Sequence, residues 1–388
     1  MTDLSDDVFM SDDRHFVGMM SGTSLDALDA VLCQFDDDTP TIIATHSEPF
    51  PAELRAILLA LCTPNGTESL AVGEFGGFSE LDFWGLASRL YGELASDVVL
   101  NLISKTKLTT DDITAIGCHG QTVRHRPKWR FSLQLLDPNI LAERTGIAVV
   151  SDFRRRDMAV GGQGAPLVPA FHQAVFGDGI DDDDQTVILN LGGIANITVL
   201  GGGVVGYDTG VANLLMDGWI HRHQGVSYDK HGDWAKSGAI NQQLLDTLMT
   251  HPFLAQSAPK STGREQFNLA WLDETLVNFD ITPVNTQATL CEFTALSASR
   301  EIAKFAKTNN TLYVCGGGAY NTHLLTRLAH HLPNFTIHTT DTVGISPTWV
   351  ESVAFAWLAR QSMLMQTGNL PAVTGAEKGV VLGNVCFG

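Results

Sequence analysis

The 388-residue chain lacks several features, and each lack excludes a class of protein. It carries 24 lysines and arginines against 43 aspartates and glutamates, a formal net charge of −19. A field of that sign repels nucleic acid and anionic membrane, so any anionic ligand must be held by local cations or backbone amides. Neither nucleic acid nor a membrane is expected as a partner. The six cysteines, Cys33, Cys62, Cys118, Cys291, Cys315 and Cys386, form no C-x-x-C pair and no cluster, which suits reduced thiols in a large core. No apolar run approaches the length of a membrane span, and the opening MTDLSDDVFMSDDRH is acidic where a secretory leader would be basic and then apolar. A cytoplasmic protein is expected. There is no G-x-x-x-x-G-K-[ST], so a P-loop fold is not supported.

What is present is a core-forming chain with 44% hydrophobic and 17% charged residues. FVGMM, AVLCQF and TIIATHSEPF have the composition of successive strands, while PAELRAILLALC and the segment Glu80 to Ser104 repeat their apolar residues at helical spacing. TAIGCHGQT predicts a strand entering a glycine loop, NILAERTG a helix closed by glycine, and APLVPAFHQAVF a helix opened by proline. This alternation predicts an α/β protein with a largely parallel or mixed sheet. The four aspartates in FGDGIDDDDQ cannot enter a core and mark a boundary, giving an N-terminal lobe over 1–180 and a C-terminal lobe over 181–388. The lobe that takes the end of the chain stays open.

Three glycine-bearing turns stand out. GMMSGTSLDALD places Ser21, Gly22, Thr23 and Ser24 between two apolar runs, with Asp26 just beyond. TVILNLGGIANITVL repeats the theme at Gly192 and Gly193, and TLYVCGGGAYNTHLL is a strand, then Gly316, Gly317 and Gly318, then an amphipathic helix. Small residues let amides and hydroxyls approach phosphate oxygens, and a carboxylate can hold magnesium or its waters. Taken singly, each is also an ordinary tight turn. Two similar hairpins, each opening an α/β stretch, suggest a duplicated fold with a cleft between the copies.

GMMSGTSLDALD, CHGQTVRH, DFRRRDMAVGGQGAPLVP, LNLGGIANIT, YDTGVANLLMD, PKSTGREQF, CGGGAYNTHL and VTGAEKGVVLG resemble, in this order, the motifs of the anhydro-N-acetylmuramic acid kinases. The resemblance implies a two-lobed actin-like ATPase fold of the ribonuclease H type, with ATP in the interlobe cleft, Mg2+ as cofactor and a homodimer as a further family trait. It implies that ATP, water and 1,6-anhydro-N-acetylmuramic acid yield N-acetylmuramic acid 6-phosphate and ADP, in recycling of cell-wall fragments. It assigns ATP and phosphate contacts to Gly18, Met19, Met20, Ser21, Gly22, Thr23, Ser24, Leu25, Asp26, Gly192, Gly193, Asn196, Gly316, Gly317, Gly318 and Asn321, with Asp26 reaching Mg2+ through water.

Opening a 1,6 bridge with inversion requires a base for the water at C1 and an acid for the leaving oxygen. If the leaving O6 takes the γ-phosphoryl group, its charge passes to phosphate and one carboxylate base suffices. The resemblance assigns that base to Asp208 and gives Glu351 a share in holding the water; a turn aspartate and a first-turn helix acid are the plain readings of the same residues. Sugar contacts fall to His119, Gln121, Thr122 and Thr209, and Arg154 suits a bidentate contact to the lactyl carboxylate. Lys260 and Arg264 are weaker candidates.

Other features are read as structural. Cys118 and His119 point to opposite faces if their stretch is a strand, which disfavours a catalytic dyad. His221 and His223 lack a completing zinc set. Phe75, Phe78, Phe83 and Trp84 are expected in the core or on a dimer surface. The chain departs from the family pattern at Ala27, Val211, Ala212 and His231; Val211 and Ala212 replace a proline and a glycine, which bears on backbone freedom beside Asp208. Two other functions remain open: an ordinary sugar kinase acting on a free hydroxyl, and a sugar-independent ATPase of the actin and Hsp70 type.

Overall fold

A computed structural model describes residues 15–22 and 25–388. Its strands are β1 (His15–Ser21), β2 (Ala27–Asp36), β3 (Thr39–Pro49), β4 (Ile113–Cys118), β5 (Gln121–Arg126), β6 (Phe131–Leu135), β7 (Val149–Ser151), β8 (Asp184–Leu191), β9 (Ile194–Leu200), β10 (Val205–Val211), β11 (Asn309–Cys315), β12 (Thr336–Thr339) and β13 (Asn384–Cys386). They fall into two compact units, one ending at Val175 and resuming over Glu351–Gly388, the other Phe176–Val350.

Both units carry the same sheet. In the first, the order is β13-β7-β4-β1-β2-β3; in the second it is β10-β9-β8-β11-β12. Each begins with an antiparallel meander (β1-β2-β3, β8-β9-β10), and the later strands join the first one in parallel, β4 then β7 and β11 then β12. The duplication expected from the paired glycine hairpins is therefore present at the level of strand order. A further hairpin, β5-β6, stands apart.

The division differs from the expected one in two places. The aspartate loop is not a free linker: the Lys307 ammonium donates to the carbonyls of Asp182, Asp184 and Gly201, tying that loop to the second unit, and Phe176 packs on Tyr313 of β11. The entry into the second unit therefore lies at Phe176 rather than after 180. Residues 351–388 belong to the first unit, where β13 pairs with β7.

One face of the first sheet buries Val17, Met19, Leu28, Ala30 and Leu32 against the helix Glu80–Ser104, which Ser79 and Asp82 start with a capping box. The opposite face receives the helix Val350–Met363. There Gly18 and Gly117, paired across β1 and β4, give the close approach: a Cβ on Gly18 would lie 1.9 Å from the Ser352 carbonyl, and one on Gly117 would lie 2.0 Å from that of Phe355. In the second unit Val187, Leu189, Ile197 and Val199 pack with Leu290 and Phe293 of the helix Pro283–Ile302. Among the described residues no helix is long and apolar enough to cross a membrane.

Candidate active site

Asp208 lies on the edge strand β10, at a register shift that leaves Thr209 bulged between the pairs Asp208–Asn196 and Gly210–Ala195. Bulges re-aim side chains, and this one ends the regular ladder at the carboxylate. The Asp208 Oδ2 accepts hydrogen bonds from the Ser261 hydroxyl and the Thr262 amide, both at 2.9 Å. Burial raises the pKa of this carboxyl, those two donors lower it, and Glu265 adds a further push upward. Thr209 is fully buried, its hydroxyl donating to the Ala195 carbonyl, so its side chain supports the bulge.

Register places Asn190, Asn196 and Asp208 in one row across β8, β9 and β10, because residues directly opposite share a sheet face. At the far end of this row Gly316 follows β11. It has φ +79° and ψ 173°, a conformation open only to glycine, and a Cβ there would lie 2.5 Å from Asn190 Oδ1. Gly318 is likewise pressed on Leu191, whereas a Cβ on Gly317 would meet nothing within 4 Å. The carbonyls of Gly192 and Gly193 accept from the amides of Ala212, Asn213 and Leu214 at the start of the helix Asn213–Gln224, which pins that turn. Val211 and Ala212, the departures from the family pattern, are buried and compatible with this arrangement. Asn321, expected at the nucleotide, uses its Oδ1 to cap the helix Thr322–His331 through the Leu324 amide.

In the first unit the ends of β4 and β7 bring His119, Arg154 and Glu351 into one electrostatic cluster. Arg154 donates from Nε (3.0 Å) and Nη2 (2.9 Å) to His119 Nε2, and from Nη1 to the Gly164 carbonyl at 2.8 Å. Its paired donors are thus committed to a histidine, where a free edge for a carboxylate was expected. Burial and the adjacent guanidinium hold His119 well below its ordinary pKa, so it is neutral with its acceptor nitrogen toward Arg154. Burial lowers Arg154 itself to about 10, with Glu351 opposing. Glu351, in the first turn of the helix Val350–Met363, is raised by burial and by Asp29, and lowered by Arg154.

Several residues expected to touch a ligand are occupied internally. The Ser21 hydroxyl is buried, donating to Gln121 Oε1 at 2.8 Å and lying 3.1 Å from the Tyr91 hydroxyl. Thr122 accepts from Gln134 Nε2 at 3.0 Å. Met19 and Leu25 place their side chains in the core, and Gly18 meets the helix at Ser352, so only their backbones could serve a phosphate. Met20 and Gly22 are half-buried. Thr23 and Ser24 lie outside the described residues. Asp26 is exposed and 3.7 Å from Arg55, whose Nε also donates to the Leu25 carbonyl. Cys118 and His119 diverge as expected, Cys118 into the core and His119 against the Phe355 ring.

The chain matches the anhydro-N-acetylmuramic acid kinase family over residues 14–388. The chain belongs to this family. Proteins named anhydro-N-acetylmuramic acid kinase are similar to it from Psychrobacter cryohalolentis, at 55% identity covering 97% of this chain and 95% of that protein, and from Saccharophagus degradans, at 48% identity covering 95% and 98%. The protein of that name from Shewanella loihica is 47% identical, covering 96% and 98%. A solved ROK family glucokinase from Streptomyces griseus aligns at 14% identity and a TM-score of 0.40, covering 89% of this chain and 99% of that one, too distant for a conclusion.

Four residues of this kinase were missed as site candidates. Asn190 was detectable, since it mirrors Asn196 about the Gly192 turn. Asp29 was visible as the second aspartate of LDALD. Ser261 sits inside the motif PKSTGREQF, where only Lys260 and Arg264 were weighed, and Arg55 carried no sequence signal, because its contact to Leu25 spans 30 positions.

Proposed function

We propose that this protein is an ATP-dependent kinase that opens the 1,6-anhydro bridge of 1,6-anhydro-N-acetylmuramic acid with water and phosphorylates O6, giving N-acetylmuramic acid 6-phosphate and ADP. The observation that carries this reading is full-length family membership, joined to a carboxylate presented at a strand bulge in line with the glycine loop. Asp208 takes the role of base through Oδ1. Water oxygen bonds to C1 as its proton passes to that oxygen; the C1–O6 bond breaks, O6 bonds to the γ-phosphorus, and the bond from phosphorus to the departing ADP oxygen breaks. The acceptor oxygen leaves as a phosphate ester, so no protein acid is required at O6.

Mg2+ fits the donor set only with most of its ligands from phosphates and water. Among the described residues no group of three or more histidine, cysteine, aspartate or glutamate side chains could hold it, and Asp26 is the exposed carboxylate of the first glycine turn. Bound there, Mg2+ would supply charge neutralisation. The amides around Gly192, Gly193 and Gly317, with Asn196, are assigned to the phosphates. Glu351 is assigned to orienting the water, and His119, Arg154 and Thr122 to the region that receives the sugar, Arg154 acting there through charge and through His119.

Competition between two acceptors tests the reading. With Mg·ATP, the anhydro sugar should be turned over and free N-acetylmuramic acid should not. Turnover of the free sugar alone would replace this proposal with an ordinary hydroxyl kinase.

A further inference from the structure

We infer that Ser261 and Thr262 are positioning residues that clamp one oxygen of the Asp208 carboxylate and leave the other for the water. The inference rests on the reading of Asp208 as the base and deepens it. Both donors converge on Oδ2, at 2.9 Å each, and the Asp208 amide donates to the Lys260 carbonyl at 3.1 Å, so three consecutive residues, 260–262, grip one aspartate through backbone and side chain. Among the described residues nothing hydrogen-bonds Oδ1. The Thr262 hydroxyl is buried with no partner among them.

The grip is anchored from behind. Tyr207 and Asp208 are neighbours on a strand and point to opposite faces. The Tyr207 hydroxyl donates to Glu301 Oε2 at 2.9 Å, and the buried Lys260 ammonium donates to Glu301 Oε1, also at 2.9 Å, while lying 4.9 Å from the Phe253 ring centre. One glutamate on the helix Pro283–Ile302 therefore ties the strand that carries Asp208 to the segment that holds its carboxylate. Removing Glu301 would leave the buried Lys260 ammonium without its partner, which favours one fixed arrangement.

The donors are chemically suited to a base. Two neutral dipoles favour the ionised carboxylate without the deep loss of basicity that a bound guanidinium would impose. The charged groups nearby agree with this. Glu265, on the following turn, pushes the carboxyl toward protonation; Lys260 and Lys304 are engaged by Glu301, and the facing residue on β9 is the uncharged Asn196. Ser261 and Thr262 thus favour the ionised form of Asp208 and fix which oxygen accepts the proton.

The test uses the full chain, with Ser261→Ala, Ser261→Cys and Ser261→Thr. Removing a donor to the charged form raises the pKa, so in Ser261→Ala the acidic limb of the kcat profile should move to higher pH and kcat should fall roughly tenfold or more, with KM for ATP unchanged. Ser261→Thr should restore both, and Ser261→Cys should fall between. Carboxyl carbon NMR on aspartate-labelled protein reads the same shift without turnover, the Asp208 signal being the one absent from Asp208→Asn. An unmoved midpoint and an unmoved acidic limb in Ser261→Ala would overturn the clamp. Full activity in Asp208→Asn would instead remove the base reading, and the NMR midpoint would still report whether Ser261 holds the carboxylate.

Discussion

The two units build the same sheet and use it in opposite ways. Where β4 ends, the chain continues into His119, and the Arg154 guanidinium and the Glu351 carboxylate gather there, so a charged group is balanced by an opposite charge. Where the equivalent β11 ends, the chain continues into Gly316, Gly317 and Gly318, and the acid of that unit, Asp208, sits two strands beyond β8 on the edge strand, balanced by neutral donors. Strand ends in α/β sheets are natural ligand sites. On the proposed reading, one topology presents side chains to a sugar at one copy and bare backbone to phosphates at the other.

The largest effect should come from the neutral-donor side. Asp208→Asn should lower turnover about a thousandfold, since the amide cannot take a proton from water, while calorimetry should still detect nucleotide binding. Retained turnover would dissolve the contrast between the two acids.

Next come the glycines that allow close packing. Gly18→Ala would drive a methyl group into the Ser352 carbonyl, and Gly316→Ala would adopt a forbidden conformation against Asn190 and Leu191. Each should cost on the order of 1–3 kcal/mol in denaturant unfolding, read at fixed m-value. Wild-type stability in either would mean that the chain has room the packing denies.

The charged side should respond more mildly and at a different substrate. Arg154→Met removes the cation that lowers the Glu351 carboxyl, so its pKa rises further and it stays protonated to higher pH. If the ionised form is needed, activity is then lost sooner as pH falls. KM for the sugar should rise about tenfold with KM for ATP unchanged. Arg154→Lys should not restore it, because a single ammonium cannot reproduce donation to both His119 and Gly164. An equal change in both KM values would blur the division between the units.

The smallest effect is expected at Gly317→Ala, where a methyl group meets nothing within 4 Å. Stability should stay unchanged while KM for ATP rises a few-fold, separating it from Gly316→Ala. No change in KM would free this loop of its assigned ligand.

The sequence carried what local spacing can carry. Strand and helix order, the helical spacing of Glu80–Ser104, the glycine turns and the duplication were all legible, because each depends on residues near one another in the chain. Partner choice was not. Arg154 reads as a free carboxylate ligand until its fold neighbour His119, 35 positions away, is seen accepting its donors. Ser21 reads as a phosphate donor until Gln121 Oε1, 100 positions away, is seen accepting its hydrogen bond. Asn321 shows the converse, a loop asparagine that is a helix cap because the helix starts one residue later. The return of residues 351–388 to the first unit depends on Gly18 and Gly117 forming a flat site for a helix far along the chain, which no local pattern announces.

The most direct test of the central claim, that bridge opening by water and phosphoryl transfer to O6 are one event, is turnover of the anhydro sugar with Mg·ATP in oxygen-18 water, read by mass spectrometry. The account predicts a sugar 6-phosphate with one heavy oxygen at C1 and none on the phosphate. Heavy oxygen on phosphate with an intact anhydro bridge would show ATP hydrolysis without sugar chemistry, and would contradict it.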